Sequence, residues 1–208
     1  MDSIETNQEF LPPESDPEFV EKKGRSGFGR FVIDVLETII LSALLFLAID
    51  SISARIRVDG FSMEPSLRDG EFVLVNKLAY KFGTPQLGDV IVFHFPRDPE
   101  QEYIKRIVGL PGDSINIMQG VVYVNGVALV EPYIENRPDY QSQWQVPEGH
   151  LFVLGDNRNN SSDSHRWGPV PLDYVVGKAL FVYWPPQKWG MINHPVISIA
   201  EASSGAYP

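Results

Sequence analysis

Val121-Val122-Tyr123-Val124-Asn125-Gly126-Val127-Ala128-Leu129-Val130 is the stretch whose reading decides the fold class. Val121–Val124 and Val127–Val130 flank Asn125-Gly126, a dipeptide that favours a two-residue hairpin turn because both positions accept positive φ. Similar runs recur on either side. Glu71–Asn76, Asp89–Phe95 and Tyr103–Val108 are short, rich in Val, Ile and Phe, and bounded by Gly, Pro or Asp. His150–Leu154 and Val176–Trp184 read as further strands. Sustained helical periodicity is confined to an apolar segment near the N-terminus and to the short run Lys77–Phe82. The chain from Arg57 to Trp184 is therefore expected to be a mainly β domain built on antiparallel sheet, with no internal repeats.

The apolar segment, Phe31 to Ala54, is the second deciding feature. A transmembrane helix needs roughly 20 predominantly apolar residues, and Ile39–Ile49 is almost wholly apolar. Asp34 and Glu37 fall near one end and Asp50 near the other, where headgroups would meet them. A buried core helix or an uncleaved signal-like segment is the alternative. Lys22, Lys23, Arg25 and Arg30 precede the segment, and Arg55 and Arg57 follow it. The positive-inside rule then puts the N-terminus in the cytoplasm and everything after Ala54 on the exported side. The expected organisation is a tail with a basic juxtamembrane segment (1–30), a transmembrane helix (31–54), a β-rich domain (55–184) and a C-terminal tail rich in Pro, Ser and Gly (185–208).

Composition excludes several classes of function. The chain has 208 residues and a net charge of −10, of which −7 comes from the seven acids up to Glu21. The acidity thus belongs mainly to a tail that reads as disordered. No basic stripe is visible, which argues against nucleic acid as a partner. The absence of cysteine excludes disulfides and thiolate metal sites. Neither a metal nor a cofactor is expected.

Three segments carry candidate chemistry. Ser62 lies between Asp59-Gly60-Phe61 and Met63-Glu64-Pro65, where glycine allows close backbone approach and proline stiffens the turn. It reads either as a nucleophile or as a helix-capping serine. A hydroxyl needs a base to attack. None of His94, His150, His165 and His194 sits in a recognised triad signature. Lys105 offers another base: strand alternation places it with Tyr103 and Ile107, and desolvation among apolar neighbours lowers an amine's pKa. The alternative is a lysine whose head snorkels to solvent. Gly155 to Ser164 is dense in short hydroxyl, amide and acid side chains, which suits a locked loop. That loop is either ornamental or a device that orients the lysine; it lacks the ligand spacing of a calcium-binding EF-hand.

In their order and spacing these segments resemble the motifs of type I signal peptidases. The resemblance rests on Gly60-Phe61-Ser62-Met63-Glu64-Pro65-Ser66-Leu67, on Tyr103-Ile104-Lys105-Arg106 leading to Gly109-Leu110-Pro111-Gly112-Asp113, and on Gly155-Asp156-Asn157 with Ser161 and Asp163-Ser164. It runs from the anchor through Trp184 and includes Gly88-Asp89-Val90-Ile91-Val92-Phe93. It implies a membrane-anchored serine protease that removes signal peptides from exported preproteins through a Ser/Lys dyad and an acyl-enzyme. Ser62 would be the nucleophile and Lys105 the general base. Ser161 would orient the lysine, with Asp163, Gly155 and Asn157 supporting that loop.

The oxyanion hole would use the backbone N–H of Ser62. Some relatives have a serine at the position of Gly60, where only backbone is available here. Many have arginine at the position of His165, so an arginine pair with Asp163 is not available, and histidine there would make the loop pH-sensitive. Preference for small side chains at the first and third residues before the cut would be set by Met63, Leu67, Tyr103 and Ile104 for the first and Val58, Val73, Val92 and Ile104 for the third. Each of these also reads as an ordinary core residue. The expected partners are preprotein signal peptides, bound as an added strand, and membrane lipid. The expected location is a bacterial plasma membrane, with a thylakoid as the alternative. Competing readings are a self-cleaving protease like the LexA-type repressors, a non-catalytic membrane-anchored β module, and a Ser62/His165 hydrolase.

Overall fold

Val90-Ile91-Val92-Phe93 is apolar on both sides of the strand, so it can only lie inside a sheet covered on both faces. The computed structural model describes residues 27–195 and places it there. The expectations for the acidic tail, for Lys22, Lys23 and Arg25, and for residues 196–208 lie outside the described residues.

The strands in chain order are β1 (Ser53–Arg57), β2 (Phe72–Asn76), β3 (Val90–Phe95), β4 (Asp98–Gly109), β5 (Ser114–Met118), β6 (Val121–Val124), β7 (Val127–Ala128), β8 (Ser142–Gln145), β9 (His150–Leu154), β10 (Val170–Pro171), β11 (Val175–Trp184) and β12 (Gly190–Met191). They form an eight-stranded sheet in the order β1-β2-β11-β3-β4-β9-β10, with β12 also on β11, and a four-stranded sheet in the order β7-β6-β5-β8. Every pairing is antiparallel.

Alternation along β3 supplies two cores. Val90 and Val92 join Val58, Met63, Leu67, Val73, Val75 and Ile104 on one face. Ile91 and Phe93 join Ile107, Leu151, Val153 and Val170 on the other. The smaller sheet adds Ile115, Ile117, Val122 and Val124, which pack with Val108, Phe152 and Leu154 from the ends of β4 and β9. Each such side chain contributes about 1.5–3 kcal/mol when fully buried. The hairpin turn forms as expected, with Asn125 at φ 52° and Gly126 at φ 80°, although β7 ends at Ala128, short of Val130.

The N-terminal helix α1 runs Gly27–Ile52, 26 residues with none buried. At about 1.5 Å per residue it is long enough to cross a bilayer, and its composition is apolar enough to do so. It starts before Phe31, and Ser53 and Ala54 lie beyond it in β1, paired with Asn76 and Val75. The cause is the alternation Ala54-Arg55-Ile56-Arg57, which turns Ala54 and Ile56 onto the first core and both arginines away from it. Two short helices complete the elements used below, α2 (Ala79–Phe82) and α3 (Ser164–Trp167).

Candidate active site

Ser62 sits in the turn between β1 and β2. The base of that turn is closed by Val58 N–H to the Glu71 carbonyl at 2.8 Å and Gly70 N–H to the Val58 carbonyl at 2.9 Å. Met63 and Leu67, both 0% exposed, anchor it from below. Gly60 has φ +87°, a conformation that L side chains rarely adopt. Its N–H donates to Asp69 Oδ1 at 2.7 Å. Gly60 therefore shapes the turn, and its own N–H is already engaged.

A second segment holds the same turn from the other side. Asn157 N–H donates to the Ser62 carbonyl at 3.1 Å, and its side-chain amide donates to the Phe61 carbonyl at 3.1 Å. Gly155 makes this approach possible, since a Cβ there would collide with the Ser62 carbonyl oxygen and with Ser161 Oγ. The two segments are thus locked by main chain, and the nucleophile's backbone cannot shift independently of Gly155–Asn157.

Lys105 comes from β4, the central strand beside β3. It is 4% exposed, so its head does not snorkel to solvent. Nζ lies 2.8 Å from Ser62 Oγ and donates to the Ile104 carbonyl at 2.8 Å. Burial pushes the ammonium's pKa down from 10.5 to about 8, against the opposing pull of Asp163 and Asp156. A good fraction of the amine is then neutral near pH 8, and its lone pair can accept the Ser62 proton.

Asp163 is 0% exposed and caps α3. One carboxylate oxygen accepts from Gly155 N–H at 2.9 Å; the other lies 2.6 Å from His165 Nδ1 and 3.2 Å from His165 N. His165 Nε2 accepts from Arg166 Nε at 3.1 Å, which leaves Nδ1 carrying the proton that points at Asp163. The ring also stacks on Tyr140 at 4.0 Å. Histidine thus makes a direct partner for Asp163 at the position where arginine was the comparison. Among the described residues, none of the four histidines hydrogen-bonds Ser62.

Ser161 is placed differently from what the resemblance implied. Its Oγ is buried against Gly155 and makes no hydrogen bond to the described protein atoms. Nζ of Lys105 is oriented instead by Ser62 and the Ile104 carbonyl.

Between β1 and β4 a cavity of about 420 Å³ opens over Ser62 and Lys105. Tyr103 and Ile104 line it, together with Ile56, while Arg57, Asp59 and Glu102 also contribute to its lining. Val58, Met63, Leu67, Val73 and Val92 are instead packed in the core with Ile104, at 0–2% exposure. A cavity of equal volume beside Lys77 and Asp173 touches none of these groups.

Two buried ion pairs escaped sequence reasoning. Arg106 Nε and Nη2 chelate Asp156 at 2.9 and 2.7 Å, with both side chains 0% exposed. Arg158 clasps Glu131 at 2.9 and 2.6 Å and donates to the Gly155 carbonyl at 3.1 Å. Both guanidiniums are tied to the segment that holds Ser62. The available signal was Arg106 itself, a cation that strand alternation puts on the same face as Ile104 and Val108, where it demands a buried acid.

Residues 32–184 match the family described as Signal peptidase, peptidase S26. Over 140 residues the chain is 44% identical to "Probable signal peptidase I-1" of Synechocystis sp., covering 64% of this chain and 71% of that one. Over 175 residues it is 39% identical to "Signal peptidase I" of Leptolyngbya laminosa, covering 79% and 85%. It is also 40% identical over 138 residues to "Thylakoidal processing peptidase 1, chloroplastic" of Arabidopsis thaliana, covering 61% of this chain and 41% of that one.

Proposed function

Because this chain belongs to the signal peptidase family, peptidase S26, we propose that Ser62 and Lys105 are the dyad with which it removes signal peptides from preproteins. It is a serine endopeptidase with one N-terminal helix suited to membrane anchoring. The observation that carries the dyad is the 2.8 Å approach to Ser62 Oγ of a Lys105 Nζ whose pKa burial lowers to about 8.

The reaction divides into two acyl transfers. Ser62 Oγ attacks the scissile carbonyl as its proton passes to Lys105 Nζ. The amine then returns that proton to the departing nitrogen, and the signal peptide remains as an ester on Ser62. Lys105 next takes a proton from water, hydroxide adds to the ester, and Ser62 is released with its proton restored. The Ser62 N–H faces the developing oxyanion, in a turn braced by Asn157.

The substrate lies extended along β4. That strand pairs with β3 at Asp98 and again from Glu102 to Arg106, but its pairing with β9 begins only at Arg106. The β4 edge from Gln101 to Ile104 is thus free of β9 and borders the cavity. A peptide strand added there gains main-chain hydrogen bonds. Ile56, Tyr103 and Ile104 then leave room for small side chains next to the cut. Val58, Met63, Leu67, Val73 and Val92 back these walls from the core.

The pH–rate profile tests the base. The lysine must be neutral to accept a proton, so log kcat/KM should rise with unit slope and level off above about pH 8. A midpoint near an imidazole's ordinary value of about 6.5 would sink the lysine in favour of His165.

For localisation, we take residues 1–30 as cytoplasmic, the helix as the span, and the β-rich part through Trp184 as lying on the exported side of a bacterial plasma or thylakoid membrane, followed by the tail 185–208. Protease added to sealed, outward-facing membranes should digest the β-rich part and spare the N-terminal tail. The reverse pattern would invert the topology.

A further inference from the structure

Where the ladder between β3 and β11 stops, an imidazole takes the place of a strand. The two strands pair as far as Lys178 with Ile91. At the next position His194 Nδ1 accepts from Val90 N–H at 3.1 Å, and Nε2 donates to the Ala179 carbonyl at 2.8 Å. These two bonds require the neutral ring with its proton on Nε2. The segment leading to it is stitched down as well. Ile192 is 7% exposed and its N–H donates to the Leu180 carbonyl at 2.8 Å. The Asn193 carbonyl accepts from Arg106 Nη1 at 3.0 Å. Arg106 follows Lys105 in β4 and chelates Asp156, and the next residue, Asn157, holds the Ser62 carbonyl. A continuous set of bonds therefore runs from the imidazole to the nucleophile's turn.

We propose that His194 is a positioning residue for the Ser62–Lys105 pair, its neutral imidazole clipping Ile192–His194 across the sheet so that Asn193 fixes Arg106. The inference rests on the dyad reading given above.

The clip is sensitive to protonation by its chemistry. A charged imidazole carries N–H on both nitrogens and cannot accept from Val90. Burial, Lys178 and Arg106 disfavour the charged ring, while Asp89 and the Ala179 carbonyl favour it, and the pKa ends below its ordinary 6.5. Asp89 Oδ1 stands 3.8 Å from Nδ1 and is itself paired with Lys178 Nζ at 2.6 Å; its other oxygen accepts from Tyr80 OH at 2.9 Å. The clip is thus closed at neutral pH and opens on acidification.

The test compares the full-length protein with His194→Gln and His194→Ala in detergent, following cleavage of one preprotein from pH 5 to 9. A glutamine amide offers one acceptor and one donor and does not titrate. At pH 8 the Gln variant should stay within about threefold of the parent, and the Ala variant should lose about tenfold or more in kcat, the scale expected of misplaced catalytic groups. Once acidification protonates His194 the parent's profile should steepen from a slope of one to two, whereas the Gln variant keeps a slope of one throughout. Amide exchange over Val90 and Arg106 should accelerate in the parent between pH 8 and 5.5, after correction for intrinsic rates, and not in the Gln variant. Identical slopes and exchange in parent and Gln variant would overturn the clip, as would full activity in the Ala variant. Should His194→Ala fail to fold, the parent–Gln comparison still decides. Activity in a Lys105→Ala variant would remove the dyad reading alone, since the exchange measurement reads the clip without it.

Discussion

Ser62→Ala and Lys105→Met each lower kcat/KM for preprotein cleavage by about 10⁴-fold or more, and the double variant is no worse than either single one. The two groups act as a unit, so removing one makes the other useless, and their losses do not add. Methionine is the informative replacement for Lys105. It preserves much of the apolar stem that crosses the core and removes the amine alone, so a loss of rate cannot be assigned to a cavity. Its thermal unfolding should match the parent within a few degrees, because a desolvated amine contributes little to stability. Lys105→Arg should be as inactive as Lys105→Met, since a guanidinium does not deprotonate in a protein. Cleavage assays on purified protein in detergent, with the product N-terminus sequenced, make the measurement. Retention of more than about a tenth of the activity in Lys105→Met would remove the lysine from the mechanism.

The parts of the fold that could be read from sequence were those whose own residues carry the pattern. The β6–β7 turn is written in Asn125-Gly126, and β3 and β9 in unbroken apolar runs. β8 is different. Ser142-Gln143-Trp144-Gln145 has a single apolar residue, and it is a strand because β5 offers it a ladder from Ser114 to Ile117. Such an element is fixed by its partner and leaves no signature of its own. β1 was hidden for another reason: the apolar helix runs into it without a break, and only the alternation after Ile52 marks the change.

The site divides along the same line. Ser62 and Lys105 stand in short motifs whose order is visible in the chain, and the structure sets them 2.8 Å apart. The walls of the cavity were not legible, because an apolar residue on a strand has the same appearance whether it faces substrate or core. Ile56 packs on the first core and also borders the cavity, whereas Val92 is fully buried in that core. Arg106 and Asp156 are fifty positions apart, and no local pattern couples residues at that separation.

That long-range pair carries the second large effect. Asp156→Ala should destabilise the β-rich domain by about 3–5 kcal/mol, because it strands a guanidinium that is 0% exposed. The carbonyls of Gly88 and Asn193 remain as partners of Arg106 Nη1, at 2.7 and 3.0 Å, but Nε and Nη2 lose the carboxylate that neutralises them. Replacing both partners, as in Arg106→Met with Asp156→Leu, should recover most of that stability, since a well-packed apolar pair avoids the desolvation of two ions. Activity should not recover with it. The Gly155–Asn157 segment would lose its tie to β4, and Ser62 would lose its register against Lys105. Chemical unfolding of the parent, Arg106→Met, Asp156→Leu and the double variant in one detergent gives the coupling energy directly.

A separate readout comes from the pH profile of Asp156→Ala. Asp156 favours the lysine's charged form, so its removal, together with the unpaired Arg106 cation, drives the Lys105 pKa further down. The rise in kcat/KM should then centre below about pH 8, with a lower plateau. A profile that moves upward, or a stability loss under about 1 kcal/mol, would mean that the pair neither loads the core nor tunes the base.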